Sequence, residues 1–485
     1  MIMKYTTARE ILIKGSELRN KQFKDLGNIH RLKSLGNKGG LGHVIEEEHF
    51  GYQINSNRLP DFNEANIELK VTPIRKNKNG SYSAKERLVL NIIDFHTEYK
   101  QTFETSSFWT KNQTLFLVFY LFEEALERWD YTIEEVFLFD YPEEDLEIIK
   151  KDWHYIIKMI KDGRAHELSE SQTMYLGACP KGATKATSML EQPFSNEPAM
   201  RRAFSLKQSY MTQIIRDYVS GNKTHPQIIK SPQQLDFPFK KASPSKDESI
   251  LTDIKALKEK AFEQIIEEKL APYIDTSIQT LKHHFNIEHH PKNLNMILLN
   301  RMLGLKGNIR KTTEFKKANI TPKTIRINQN NHIVENMSFP AFRFKDIIGE
   351  NWEDSTFKNT LESQKFMFVI FKESENTTYF KGVQFWSMPV KDIEYYVKPV
   401  WEKTKQIIKE GNIVQSVDSK GKRKTNFPSS KDNRVSHVRP HAQTTKDTHP
   451  LPVADAKTQL QEYTKHCFWL NNTYILAQLD KRYFQ

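Results

Sequence analysis

The chain repeats itself. From Asp61 it reads DFNEANIELKVTPI, and from Glu314 it reads EFKKANITPKTIRI, a displacement of 253 positions. The displacement holds without a gap back to Leu41 and Leu294, pairing Gly51 with Gly304, Phe62 with Phe315, and Ala65-Asn66-Ile67 with Ala318-Asn319-Ile320. Two more echoes follow in the same order. LEIIKKDWHYIIKMIKDG at 146 matches IEYYVKPVWEKTKQIIKEG at 393, and AFSLKQSYMTQII at 203 matches CFWLNNTYILAQL at 467. Matching elements in matching order mean two copies of one fold. Between them, 220–248 is polar, carries four prolines and reads as a linker. The expected organisation is a domain over 1–219, the linker, and a second domain over 249–485, in keeping with a length of 485 residues.

Within the first copy, the pattern predicts a helix near 42–52, strands near 59–63 and 66–74, and a buried central strand at 114–122. Residues 144–162 read as an amphipathic helix with Leu146, Ile149, Trp153, Ile156, Ile157 and Ile160 on one face, closed by Gly163. Strands mixed with helices in this order give an α/β fold (α+β, mixed sheet), twice.

A formal net charge of +12 favours a polyanionic partner. The longest apolar run, LFLVFYLF at 115, is too short to span a bilayer, and the N-terminus lacks the pattern of a signal peptide. Cys179 and Cys467 are the only cysteines, which suits a reducing cytoplasm with no disulfide framework or zinc site. A cytoplasmic protein without a membrane partner is expected.

The repeat also acts as an internal control on the charged residues. Asp61 becomes Glu314, Glu68 becomes Thr321, Glu47 becomes Asn300, and Lys70 remains Lys323. The apolar Phe62, Ile67 and Ile74 keep hydrophobic counterparts. Acids needed for folding would persist in both copies, so Glu47, Asp61 and Glu68 are read as chemical rather than structural. In a strand, Glu68 and Lys70 project from one face and Leu69 from the other. Asp61, Glu68 and the Leu69 backbone carbonyl are hard oxygen donors of the kind magnesium takes, and Lys70 beside them could orient or deprotonate a water. In a basic protein, that set points to phosphodiester hydrolysis in nucleic acid.

The spacing D-x6-E-x-K at Asp61, Glu68 and Lys70 resembles the signature of the PD-(D/E)xK nucleases. EEHFG at 47, ELKVTP at 68 and ETSSFWTKNQTLFLVFY at 104 resemble consecutive blocks of the MutH type. KERLVLNII at 85, AHELSESQTMYLGACPKGA at 165, RAFSLKQSYM at 202, NMSFPAFRF at 336 and CFWLNN at 467 are similar to the GATC-cutting type II restriction enzymes of the staphylococcal kind, along nearly the whole chain. The resemblance implies two tandem MutH-like restriction-endonuclease-fold domains, of which only the first is catalytic. Asp61 and Glu68 would then be metal ligands and Lys70 the water-positioning lysine. Glu47 would be an additional acid and Lys111 a further lysine on the scissile phosphate, with Glu362 at its place in the second half. Glu64 takes no family role and reads as an exposed turn residue.

For DNA reading, the resemblance points to Pro180, Lys181 and Gly182, although Cys179 stands where the family often has an arginine. Arg439, followed by Pro440 and His441, occupies the matching place in the second half. Lys207 is a candidate phosphate contact, and Lys422, Arg423 and Lys424 form a basic loop that could follow a DNA backbone. The expectation is a magnesium-dependent type II restriction endonuclease cutting double-stranded DNA at GATC to leave 5′-phosphates and 5′ overhangs. Its second half would bind DNA as an effector, the chain would self-associate on DNA, and a DNA methyltransferase would be its functional companion. A GATC nicking enzyme of the mismatch-repair kind and a non-catalytic DNA-binding protein are the alternatives.

Overall fold

The computed structural model describes residues 5–28, 30–33, 40–54, 58–182, 185–219, 247–251, 253–375, 377–444 and 446–484. Most of the expected linker, 220–246, lies outside them. The described residues form two compact units whose boundary departs from that of the repeat. Unit 1 comprises Met1–Phe262 together with Lys311–Asn319, and unit 2 comprises Glu263–Arg310 with Ile320–Gln485.

Unit 1 is built on β1 (Ile67–Lys76), β2 (Tyr82–Ala84), β3 (Leu88–Ile92), β4 (Thr114–Leu121), β5 (Ile133–Asp140), β6 (Leu176–Pro180), β7 (Met189–Gln192), β8 (Ser195–Met200) and β9 (Arg202–Leu206). Its main sheet runs β2-β1-β4-β5, with β1 parallel to β4 and both outer pairings antiparallel. Leu115 to Phe119 of β4 are fully buried, as a central strand covered on both faces requires. A smaller sheet runs β3-β9-β6, and β7 and β8 form a hairpin.

Unit 2 is built on β10 (Thr276–Ser277), β11 (Ile320–Ile327), β12 (Met337–Ser338), β13 (Lys365–Ser374), β14 (Thr377–Trp386), β15 (Val414–Val417), β16 (Arg423–Thr425), β17 (Ser436–Pro440), β18 (Thr448–Pro450), β19 (Glu462–Thr464) and β20 (His466–Leu470). Its main sheet runs β10-β14-β13-β11, and its smaller sheet β12-β20-β17. The strand β11 lies parallel to β13 with Ile320 opposite Lys365, as β1 lies parallel to β4 with Ile67 opposite Thr114. The fourth strand differs: β2 flanks β1 in unit 1, whereas β10 flanks β14 in unit 2. The smaller sheets agree pair for pair. Leu88 faces Leu206 as Met337 faces Leu470, Gly177 faces Ser205 as His437 faces Trp469, and Cys179 faces Ala203 as Arg439 faces Cys467.

The helix expected at 144–162 spans Glu143–Lys161 and ends before Gly163, whose φ of +68° only glycine adopts freely. Its buried face carries two acids that an apolar pattern could not mark. Asp145 accepts a hydrogen bond from the Tyr210 hydroxyl, and Asp152 accepts three from the backbone N–H groups of Met174, Tyr175 and Leu176, fixing the entry to β6. No strand forms at 59–63. The chain turns there through a short 3₁₀ segment, Asn63–Ala65, and Asn66 adopts a left-handed φ of 56°. Asn319 does the same in the second copy at 55°. Asparagine enters this region more readily than most side chains, which accounts for the persistence of Ala-Asn-Ile in both copies.

Candidate active site

The turn at 62–67 brings Asp61 back beside Glu68. Phe62 and Ile67 exchange backbone hydrogen bonds at 2.9 and 3.2 Å, and Phe62 is seated edge-on against Phe50 beneath the turn. Two bonds then clasp the acids: the Asp61 N–H donates to Glu68 Oε2, and the Leu69 N–H donates to Asp61 Oδ2, each at 3.1 Å. Glu68 is 2% exposed. As the strand alternation predicts, Lys70 lies on its face, with Nζ 2.6 Å from Glu68 Oε1. Lys111 approaches the same oxygen at 3.6 Å from the Ser107–Asn112 helix, whose N-cap Ser106 accepts from the Trp109 N–H. Four of the residues singled out from sequence are thus within one cluster.

The acids feel one another. Burial, and then the charge of Glu68, raise the Asp61 carboxyl to about 6 against the pull of Lys70 and Lys111. A third acid enters the same field. Burial, followed by the charges of Asp61 and Glu68, raises Glu46 to about 7. Glu47, to which the resemblance gives the part of additional acid, is the next residue. Both belong to the π turn Ile45–His49 that continues the Gly40–Val44 helix, where the Phe50 N–H reaches back to the Ile45 carbonyl at 3.1 Å. Such a turn holds more residues than an α turn and shifts the facing side chain, which consecutive glutamates cannot reveal in a sequence. Glu46 has Leu299, fully buried, as its counterpart, so this acid too is gone from the second copy.

The second copy keeps the backbone and loses the site. Thr321 Oγ1 accepts from Gln364 Nε2 at 2.6 Å, and Lys323 donates to the Ser338 carbonyl at 3.2 Å. Burial lowers the Lys323 ammonium from its ordinary range, helped by the charge of Arg310. Asn300, the counterpart of Glu47, accepts from the Ile309 N–H at 3.0 Å. Glu314, the counterpart of Asp61, is buried in unit 1, where its carboxylate accepts the N–H groups of Ile250 and Leu251.

The donor set of unit 1 fits a hard divalent cation. Two carboxylates close enough to lift the pKa of one of them create the crowding such an ion relieves. Among the described residues, no three acidic, histidine or cysteine side chains gather closely enough to hold a metal unaided. The Leu69 carbonyl and oxygens from outside the protein would have to complete the shell.

The expected DNA-reading residues fare unevenly. Lys181 and Gly182 are exposed just beyond Pro180, with the Lys181 N–H held by the Arg201 carbonyl at 2.8 Å. Arg439 is exposed at the end of β17, its guanidinium 4.2 Å from the centre of the Trp469 ring. Lys422, Arg423 and Lys424 are exposed on the β15–β16 hairpin. Lys207 is a correction. It is 2% exposed, and its ammonium donates to the Thr173 carbonyl at 2.5 Å, so it is a buried structural lysine unable to meet a phosphate. Its place at the start of the Gln208–Ile214 helix, behind the fully buried β9, put it inside.

Comparison with known proteins finds relatives along nearly the whole chain. The sequence matches the family described as DNA mismatch repair enzyme MutH over residues 50–152. DNA mismatch repair protein MutH of Shewanella woodyi is 26% identical over 43% of this chain and 91% of its own length, and that of Vibrio vulnificus is 24% identical over 44% and 93%. Type II restriction enzyme Sau3AI of Staphylococcus aureus is 37% identical over 98% of this chain and 99% of its own. The chain therefore belongs to the MutH-like type II restriction endonucleases, the family of Sau3AI, and is a site-specific deoxyribonuclease.

Proposed function

We propose that this restriction endonuclease uses magnesium to cut both strands of DNA at GATC, before the G, leaving 5′-phosphates and four-base 5′ overhangs. The observation that carries the chemistry is the cluster in which Glu68 is clasped to Asp61 and faced by Lys70 and Lys111. Asp61, Glu68 and the Leu69 carbonyl would hold the ion, with Glu46 or Glu47 as the additional acid. Bound there, magnesium would neutralise charge on the scissile phosphate and acidify a water. Lys70 orients that water, and Lys111 holds a phosphate oxygen at the same carboxylate. GATC as the target is what the resemblance to the GATC-cutting enzymes implies, with Pro180, Lys181 and Gly182 at the bases.

The second half acts as a DNA-binding effector domain. Its repeat has Asn300 and Thr321 where the first has Glu47 and Glu68, and Arg439 with Lys422, Arg423 and Lys424 supplies an exposed cationic surface. One active site per chain and a palindromic target call for two chains on one GATC, each cutting one strand. A DNA methyltransferase protecting the same sequence would be the companion activity in the cell. Relatives named for mismatch repair suggest nicking as the second reading, and the second copy, without counterparts of Glu47 and Glu68, argues against it.

Plasmid incubated with the protein and magnesium tests the proposal. Linear fragments whose ends map to GATC with four-base 5′ overhangs are expected. Nicked circles would establish the second reading, and uncut plasmid would end both.

A further inference from the structure

The two smaller sheets share their pairing and differ in what lies on one face. In unit 2 that face carries His437, Arg439 and, opposite, Trp469. The Trp469 ring stacks with His437 and lies under the guanidinium of the exposed Arg439. In unit 1 the same three places hold Gly177, Cys179 and Ser205. No arginine rises from this β6, so the unit that cuts lacks the guanidinium that the silent unit presents.

A guanidinium reaches the face from the other edge strand. Glu170, 3% exposed, lies across the vacated ground: a Cβ at Gly177 would come within 2.4 Å of its Cγ. Its Oε1 accepts from Ser205 Oγ at 3.1 Å, and its Oε2 pairs with Arg87 NH1 at 2.7 Å. Arg87 immediately precedes β3, and the register gives it Asn336 as its counterpart, a residue that caps the backbone N–H of Asn472. A buried carboxylate that holds one terminal nitrogen of an arginine side chain, itself 23% exposed, pre-orients the guanidinium. Its charge also acts on the Cys179 thiol, the residue in the place of Arg439.

The position is connected to the chemistry. At the far end of β3, Asn91 donates to Ser107 Oγ and accepts from Asn112 Nδ2, both at 2.9 Å, and those two residues bound the helix that carries Lys111. The second copy has Pro340 at that register, which can make neither bond. One strand therefore runs from Arg87 to the helix of the catalytic lysine only in the half that keeps the acids.

We propose that Arg87, gripped by Glu170, is the base-reading arginine of the catalytic half, bridging the two major-groove acceptors of the target guanine in place of an arginine at position 179. This rests on the proposed cleavage at GATC. An arginine fork to guanine O6 and N7 is the commonest specific contact in major-groove recognition. The alternative, that Arg87 only neutralises Glu170, makes different predictions.

The test uses 7-deazaguanine, which lacks N7, at the target guanine. Wild-type protein should lose roughly 10- to 100-fold in kcat/KM on that duplex. The Arg87→Gln/Glu170→Gln protein, in which no buried charge is left unpaired, should carry that loss on natural DNA already and lose less than about twofold more on the modified duplex. Arg87→Lys keeps the ion pair and the melting temperature but not the fork, and should behave like the double variant. An undiminished 7-deazaguanine penalty in either protein, or wild-type kcat/KM with lysine at 87, would overturn the assignment. So would disappearance of the penalty in Lys181→Ala instead. Fragment ends mapping away from GATC would defeat the cleavage reading alone, because the modified base is then moved to the guanine of the mapped site.

Discussion

The strands β1 and β11 hold nearly the same backbone and opposite chemistry. Each follows an asparagine in the left-handed region, runs parallel to the next long strand and carries a lysine at the fourth position. In β1, Lys70 finds a buried carboxylate at 2.6 Å. In β11, Lys323 finds a carbonyl, and burial weakens its hold on its proton. What persists between the copies is what the turn and the sheet require. What is lost is the carboxylate set, which neither requires.

Mutation can break this comparison at its strongest point. Asp61→Ala or Glu68→Ala should lower single-turnover cleavage roughly a thousandfold or more, about 4 kcal/mol of barrier, while DNA binding persists. Thr321→Ala should change the same rate by less than about twofold, since it removes a hydroxyl from a copy that lacks the paired carboxylates. Equal losses in the two strands would mean that both copies cut.

A finer comparison is between adjacent residues. Lys111→Ala should cost on the order of 100-fold and Glu46→Gln on the order of 10-fold in cleavage rate, with Glu47→Gln costing less than Glu46→Gln. The reverse order would give the additional acid to Glu47 and leave Glu46 as a buried neighbour. In the second unit, Arg439→Ala should weaken binding of a cleavage-resistant GATC duplex roughly tenfold and lower the salt slope by about 1. It should also abolish faster cutting of two-site over one-site plasmids. Equal rates on both plasmids in the wild type would reduce the second unit to a scaffold.

The smallest effect is in stability. Asp61 and Glu46 have folded-state pKa values raised to about 6 and about 7, so in metal-free protein their contribution is fully present below the unfolded carboxylate range and is lost as pH rises through those values. Melting in the presence of a chelator should therefore show unit 1 losing stability between about pH 4 and pH 7. Glu46→Gln should flatten that fall and magnesium should reverse it. A profile that Glu46→Gln leaves unchanged would remove Glu46 from the field of Asp61 and Glu68.

The clustered site was legible because alternation, spacing and the repeat all spoke of the same residues. Glu68 and Lys70 had to share a face, and only one copy kept Glu47 and Glu68. Other features left no trace of that kind. Glu46 and Glu47 are chemically identical neighbours in one π turn, and their order in the chain carries no mark of the field that Glu46 feels. Lys207 was misread because a buried lysine and a phosphate-binding lysine look alike in sequence, and only the Thr173 carbonyl beside its ammonium separates them. Residues 59–63 suggested a strand, but the left-handed Asn66 forces a turn before β1 begins. The departure of Lys311–Asn319 from its own repeat depended on long-range pairing that no local pattern encodes: Lys317 forms a buried ion pair with Asp145 at 2.7 Å in unit 1.

The fate of Glu314 turns the loss of the second site into a ratchet. Its carboxylate, in the place that Asp61 holds in the first copy, accepts the backbone N–H groups of Ile250 and Leu251. Reviving the copy would need an acid restored at 321 and this carboxylate withdrawn, and each amide then stranded in the interior would cost about 1–3 kcal/mol. Drift back toward a second cutting centre is therefore uphill at its first step. In the proposed reading, the second half is kept silent by its own architecture, in addition to the residues it has lost.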